Sequence, residues 1–266
     1  MSLRAIIFDH DGTLAQTTQR QEAWLKFWWN ENRSSEPWPF VDFDEFTKFY
    51  NEHIGGENGV QEVYDQLELP CDMGDMTHPV WHAYEKFKSE FPAVKLYEGI
   101  KETLQEIWEL SLLPDDSARN VKVRIGINST NTWRSIRKDL VNNDALHYFD
   151  CHVTAETLNA YQGGGSAKSI YKPSPISVAL MLNLLGVRDG SEVLHIGDSR
   201  TDLGASHNII VRPAERPQSV ITVGACYGYE GRTLLEQGYE VNGQRYHFDH
   251  LIDKPRQLVG IVKNLL

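Results

Sequence analysis

Two aspartates stand two residues apart near the start of the chain, in Asp9-His10-Asp11-Gly12-Thr13, directly after the apolar run Ala5-Ile6-Ile7-Phe8. Alternate residues of an extended segment project to one side, so both carboxylates can face a single crevice until Gly12 turns the chain. Two anions in a desolvated crevice repel unless a cation neutralises them or one of them keeps a proton. Further polar residues follow other apolar runs: Ser129 after Val123-Arg124-Ile125-Gly126-Ile127-Asn128, and Asp198 and Asp202 in Gly197-Asp198-Ser199-Arg200-Thr201-Asp202. Lys172 stands ahead of a helical stretch, in Lys172-Pro173-Ser174-Pro175. Several carboxylates at one point require a hard divalent cation, and oxygen ligands with retained waters suit Mg2+. A lysine and a hydroxyl aimed at the same point supply a positive charge and a donor for phosphoryl oxygens. Covalent catalysis is also available, because an aspartate can form an aspartyl-phosphate.

These residues converge only if the chain places them on one edge. Short apolar or β-branched runs at Ala5 to Phe8, Val121 to Ile127, Phe149 to Thr154, Glu192 to Ile196, Val220 to Val223 and Tyr246 to Phe248 predict strands. Between them lie helical stretches at Gly99 to Leu110, Thr132 to Asn142, Ile176 to Leu185 and Pro255 to Leu266, the third stopped by Gly186. Alternating strands and helices predict a Rossmann-like, doubly wound parallel α/β sheet, in which the carboxyl ends of all strands share one edge. Leu113 to Ser117 reads as a polar connection, and Asn159 to Ser169, with Gly163-Gly164-Gly165, as a mobile loop. Ile209 to Gln218 reads as an insertion.

Residues 16–94 differ in character. Gln19 to Asn32 places Trp24, Leu25, Phe27, Trp28 and Trp29 at helical spacing, and Asp42 to Asn51 repeats the pattern with Asp42 as its cap. Glu57 to Leu67 and Thr77 to Phe91 add two helices, separated by Pro70 and Gly74. The aromatic stripe reads as the core of a helical bundle before it reads as a substrate platform. The expected organisation is therefore an α/β core of residues 1–15 and 95–266, with a smaller all-helical domain of residues 16–94.

With the motifs in hand, the chain resembles the haloacid dehalogenase-like hydrolase superfamily, in its phosphatase branch and near its phosphoglycolate-phosphatase-like members. Asp9-His10-Asp11-Gly12-Thr13-Leu14 matches the first motif and Ser129 at its strand end the second. Lys172 matches the third, and Gly197-Asp198-Ser199 with Asp202 the fourth. All four occur in the family's order, and the helical stretch after the first resembles its C1-type cap. The resemblance implies that Asp9 attacks phosphorus and Asp11 acts as acid and then base. It implies that Ser129 and Lys172 hold the phosphoryl group, with Lys172 also a counter-ion of the nucleophile. Mg2+ would be bound by Asp9, the main-chain carbonyl of Asp11 and Asp198, with Asp202 a further ligand or an orienting neighbour. Thr130 adjoins Ser129, which is favoured because it ends the apolar strand. The implied activity is Mg2+-dependent hydrolysis of a small phosphomonoester; a phosphomutase, or a catalytically silent metal- or phosphate-binding module, is the alternative.

Composition narrows the partners. Over 266 residues the formal net charge is -11, which argues against general binding of nucleic acid or anionic membranes but does not exclude a small anionic substrate. The small phosphorylated metabolite expected as partner is what the resemblance implies. Cys71, Cys151 and Cys226 lie too far apart for a metal-ligand pair or a disulfide framework, and no apolar stretch can span a bilayer, so the expected location is cytoplasmic. Of the histidines, His10 is expected to point away from both aspartates and His195 to be a buried strand residue. His53, beside Ile54-Gly55-Gly56, together with Arg20 and Trp24, are the candidates from the helical domain, though ordinary structural roles suit them better.

Overall fold

Four consecutive apolar residues leave no face for solvent, and Ala5–Phe8 form a fully buried strand, β1, inside a six-stranded sheet. The others are β2 (Arg124–Asn128), β3 (Cys151–Val153), β4 (Val193–Gly197), β5 (Ile221–Ala225) and β8 (His250–Ile252), in the order β3-β2-β1-β4-β5-β8. Every neighbouring pair is parallel, with Phe8 paired to Ile127 on one side and Ile196 on the other. This is the parallel α/β sheet the sequence predicts. The computed structural model describes residues 3–54, 59–72, 77–111, 122–163, 168–212 and 216–266. The chain divides into two compact units, Met1–Ala15 with Lys95–Leu266, and Gln16–Val94.

The Gln16–Val94 unit contains α1 (Thr18–Asn32), α2 (Phe43–Ile54), α3 (Val60–Gln66) and α4 (Pro79–Glu90). Trp24 of α1 is buried against Trp28 and against Tyr84 and Phe87 of α4, and its indole N–H donates to the Tyr64 hydroxyl of α3 at 2.5 Å. Trp29, Trp38, Phe46 and Tyr50 continue the packing between α1 and α2. Trp24, Leu25 and Trp29 of the aromatic stripe thus lie in the interior of this unit, while Phe27 at its edge is exposed. Asp42 accepts the Glu45 N–H at the start of α2, as its capping role requires. His53 packs on Phe49 and lies 3.4 Å from Glu62, and Arg20 is buried. Gly55, Gly56 and Gly74 lie outside the described residues.

In the other unit, helices cover both faces of the sheet. Ile6, Phe8, Ile125 and Ile127 pack with α5 (Ile100–Leu110), α6 (Trp133–Asn142) and the closing α11 (Gln257–Leu265). Ala5, Ile7 and Val193 pack instead with α7 (Ala155–Tyr161), α8 (Ile176–Leu185) and Ala205 of α9 (Arg200–Ala205). Successive β1 residues serve opposite cores, as the two-residue period of a strand demands. Among the described residues no helix is long and apolar enough to cross a membrane, and the three cysteines are free.

Two sequence expectations fail locally. Residues 159–161 belong to α7, which Thr154 starts with a capping box to Thr157, and Lys168–Ile170 form a short 3-10 turn, so helix intrudes on the expected loop. Gly164 and Gly165, like the expected connection 113–117 and Val121, lie outside the described residues. Tyr246 ends not a sheet strand but the antiparallel hairpin of β6 (Tyr239–Val241) and β7 (Gln244–Tyr246), and β8 closes the sheet edge instead. The hairpin's turn is Asn242-Gly243, both at positive φ (51° and 78°), the conformation a tight two-residue hairpin needs. The stretch read as an insertion is closed by paired hydrogen bonds between Ile209 and Gln218.

Candidate active site

The site is assembled from strand ends. Asp9 is still held by the sheet, its N–H donating to the Ile196 carbonyl of β4 at 2.8 Å. The chain then folds back, with the Leu14 and Ala15 N–H groups both donating to the His10 carbonyl and Gly12 at φ +80°. Any side chain at Gly12 would collide with the Asp198 carboxylate, and a Cβ at Gly228 would collide with the same residue from the turn after β5. Asp198, at the end of β4, accepts the Thr13 hydroxyl at 3.2 Å and the Tyr229 N–H at 2.7 Å. The Tyr227 hydroxyl donates to the Thr13 carbonyl, tying the two turns together. Asp202, in the first turn of α9, accepts the Ser199 N–H and hydroxyl on one oxygen.

Lys172 joins these elements. Its ammonium donates to Asp9 Oδ1 at 2.5 Å, to Asp202 Oδ1 at 2.5 Å and to the Asn128 carbonyl at 3.2 Å. Asp9, Asp198 and Asp202 are buried and offer carboxylate oxygens within 4.8 Å of one another. Burial raises the Asp9 carboxyl to about 7, assisted by the charges of Asp202 and Asp11 and opposed by Lys172. Burial likewise holds Asp198 well above the ordinary carboxylate range. At Lys172 burial works against the charge, yet Asp202 and Asp9 overcome it and keep the ammonium protonated. Asp202 also resists burial and is held low by Lys172. One lysine therefore serves three buried carboxylates, and the oxygen-only donor set with a surplus of negative charge fits a hard divalent cation.

Six residues were expected at the site. Asp9, Lys172 and Asp202 are joined by hydrogen bonds, and the Asp198 carboxylate lies within 4.8 Å of those of Asp9 and Asp202. Ser129 is buried at the end of β2, bonded through its N–H to the Val153 carbonyl, whereas Thr130 is exposed. Asp11 is partly exposed, and both of its oxygens accept from Asn131 Nδ2, at 3.0 and 3.2 Å. His10 departs from the expectation that it turn from both aspartates: its ring is fully buried, with Nδ1 3.6 Å from Asp11 Oδ1 and Nε2 3.7 Å from Asp139 Oδ2. The tight fold-back at Gly12 ends the extended conformation on which that expectation rests. His195 is a buried strand residue, its Nδ1 2.7 Å from the Ser206 hydroxyl.

Sequence reasoning passes over Asn131 and over the turn Tyr227-Gly228-Tyr229. Asn131 stands two residues beyond Ser129, as Asp11 stands two beyond Asp9. The turn follows β5, whose end falls at Ala225 rather than Val223. The rule that strand ends collect the chemistry applies to it equally.

The model of a family described as haloacid dehalogenase-like hydrolase matches residues 6–214. No protein of curated function matches the chain in sequence. Among solved structures, a haloacid dehalogenase-like hydrolase from Bacteroides fragilis is similar at 20% identity, covering 97% of this chain and 100% of its own, with a TM-score of 0.64. A protein described as a phosphoglycolate phosphatase from Haemophilus somnus reaches a TM-score of 0.65 at 16% identity, over 98% of both chains. One described as a beta-phosphoglucomutase from Thermotoga maritima reaches 0.55 at 18% identity, over 99% of this chain and 100% of its own. At these identities the likeness to the solved structures is one of fold.

Proposed function

The chain belongs to the haloacid dehalogenase-like hydrolase family, and from that premise we propose that it is a Mg2+-dependent phosphatase acting on a small phosphorylated metabolite through an aspartyl-phosphate on Asp9. The observation that carries the reading is the difference in surroundings between the two aspartates of the first turn. Asp9 is buried on an ammonium, whereas Asp11 is partly exposed on a neutral amide.

In this reading an Asp9 oxygen attacks phosphorus while the ester oxygen leaves with a proton from Asp11. Water then attacks the phosphorus of the aspartyl-phosphate, giving a proton to Asp11 and releasing phosphate and the free Asp9 carboxylate. Ser129 and Lys172 hold the phosphoryl oxygens, and Lys172 returns to Asp9 between turnovers. Mg2+ would be held by Asp9, the main-chain carbonyl of Asp11 and Asp198. When bound it neutralises the carboxylates and draws charge from the phosphoryl oxygens. Asp202, both of whose oxygens are engaged by Lys172 and Ser199, acts as the orienting neighbour. Residues 16–94 take the place in the chain of the family's cap.

The test is phosphate release from an aryl phosphate by the full chain, with and without chelator. Activity is expected to vanish on chelation and in Asp9→Asn; turnover surviving either change sinks the mechanism. Asp11→Asn is expected to block turnover while phosphate still binds. The similarity to a beta-phosphoglucomutase motivates one second reading, transfer within a sugar phosphate. Product analysis with sugar phosphates separates the two, since a mutase yields an isomer without stoichiometric phosphate.

A further inference from the structure

We propose that Asn131 is a positioning residue for Asp11, holding the carboxyl group in place through both of its protonation states. The inference rests on the phosphatase reading above and adds to it a residue outside the four motifs.

Asn131 is fixed at every polar atom. Its N–H donates to the Ser129 hydroxyl at 3.2 Å, and its carbonyl accepts the Ala155 N–H at 3.1 Å. The side-chain oxygen accepts the Thr132 N–H at 2.8 Å. That last bond sets the amide's direction: a flip would press oxygen against the Asp11 carboxylate and NH2 against an N–H. The NH2 group is thereby aimed at Asp11 and reaches both carboxyl oxygens. On the other side the His10 ring stands 3.6 Å from Asp11 Oδ1, so the carboxyl is flanked by two buried or anchored groups.

The choice of an amide has a chemical reason. A cation beside a carboxylate stabilises the ionised form and hinders its use as an acid. The site places its lysine on Asp9, which must stay ionised to attack. The neutral amide on Asp11 donates to the carboxylate, and to the carbonyl oxygen of the protonated acid, leaving the other oxygen free to pass its proton. The same residue is bonded to Ser129, so the group gripping the phosphoryl oxygens and the group protonating the leaving oxygen are aligned by one turn.

The experiment compares kcat/KM, which reports the step up to transfer onto Asp9, across phenyl phosphates whose leaving phenols differ in basicity. Variants are Asn131→Ala and Asn131→Asp; the latter keeps an acceptor for the Thr132 N–H while replacing the donor with an oxygen that repels the Asp11 carboxylate. For phenyl phosphate, whose leaving group needs a proton, a loss of about 10- to 100-fold is expected, against less than about threefold for 4-nitrophenyl phosphate. Asn131→Asp, as the same shape, secures the test if Asn131→Ala does not fold. An equal loss on both substrates marks a merely structural residue and overturns the proposal, as does no loss. A gain also overturns it, since Asn131 would then be restraining Asp11 unproductively. Wild-type protein lacking Asp9-dependent turnover fails the phosphatase reading and takes this inference with it; Asp9-dependent turnover without the leaving-group split fails this inference alone.

Discussion

At the scale of single residues, the site depends most on Lys172. Its three donors are placed on Asp9, Asp202 and the Asn128 carbonyl, so one side chain joins the ends of β1 and β2 to the start of α9. Replacing it with methionine keeps the stem and removes the charge, leaving buried carboxylates without their cation. Breaking such a buried pair costs about 3–5 kcal/mol. Lys172→Met is therefore expected to lose about that much in urea unfolding at pH 8 without metal, and to recover part of it when Mg2+ is added. Its turnover should drop by roughly 10²- to 10³-fold, the usual consequence of removing one donor to a developing oxyanion. A loss below about 1 kcal/mol, indifferent to Mg2+, would show that Lys172 is not their principal counter-charge.

The elements carry a pH dependence of their own. His195 lies on β4 in register with Ile7 and Thr222, and its Nδ1 meets the Ser206 hydroxyl, which in turn donates to the Asp202 carbonyl of α9. The imidazole is thus a strut between strand and helix. Burial lowers it to about 4, with Asp202 opposing and Lys172 assisting. A histidine depressed in the folded state contributes stability in full above its ordinary value near 6.5, and that stability is lost as pH falls toward 4. The loss is of order 3 kcal/mol at most, and His195→Gln should flatten this part of the stability profile. An imidazole seen by NMR to titrate near 6.5 in the folded protein would remove the prediction. How much of this was legible in sequence follows from the same elements. The apolar runs announce β1, β2 and β4 because a strand buried on both faces is filled mainly by apolar residues, with His195 and Asn128 the buried polar exceptions. Their ends name Asp9, Lys172's partner strand and Asp198 by topology alone. The hairpin was equally written, in Asn242-Gly243, but its flanking strands are short and contain no buried residue, so no apolar pattern marks them. The helical reach of α7 was hidden because the helix is short, with a threonine cap at its start and a glycine run soon after its end. Asn131 was hidden for a different reason: its role depends on which way an amide points, and only the bonds to Thr132 and Asp11 decide that.

For the whole molecule, all the proposed metal-holding groups belong to the sheet-bearing unit, from β1, the turn after it and β4. A cation that binds only the folded state stabilises by mass action, about 2.7 kcal/mol at a hundredfold excess over Kd. Calorimetry should show a melting transition rising by roughly 5–11 °C in that excess of Mg2+, and no such rise in Asp198→Asn. Equal rises in both proteins would remove Asp198 from the metal's ligands. The surroundings of Asp198 bear on more than stability. Gly12 and Gly228 press on it so closely that neither position can carry a side chain, and Tyr229, whose main-chain N–H donates to it, belongs to the same turn as Gly228. Much of the casing around this carboxylate is therefore main chain, whose chemistry does not alter when residues are exchanged. Sequence drift has few handles there. Asp11, by contrast, is met by the side chains of Asn131 and His10, each of which one codon can replace. On the proposed reading, descendants of this chain can vary the handling of the leaving group in small steps while the corner that would hold the cation passes on unchanged.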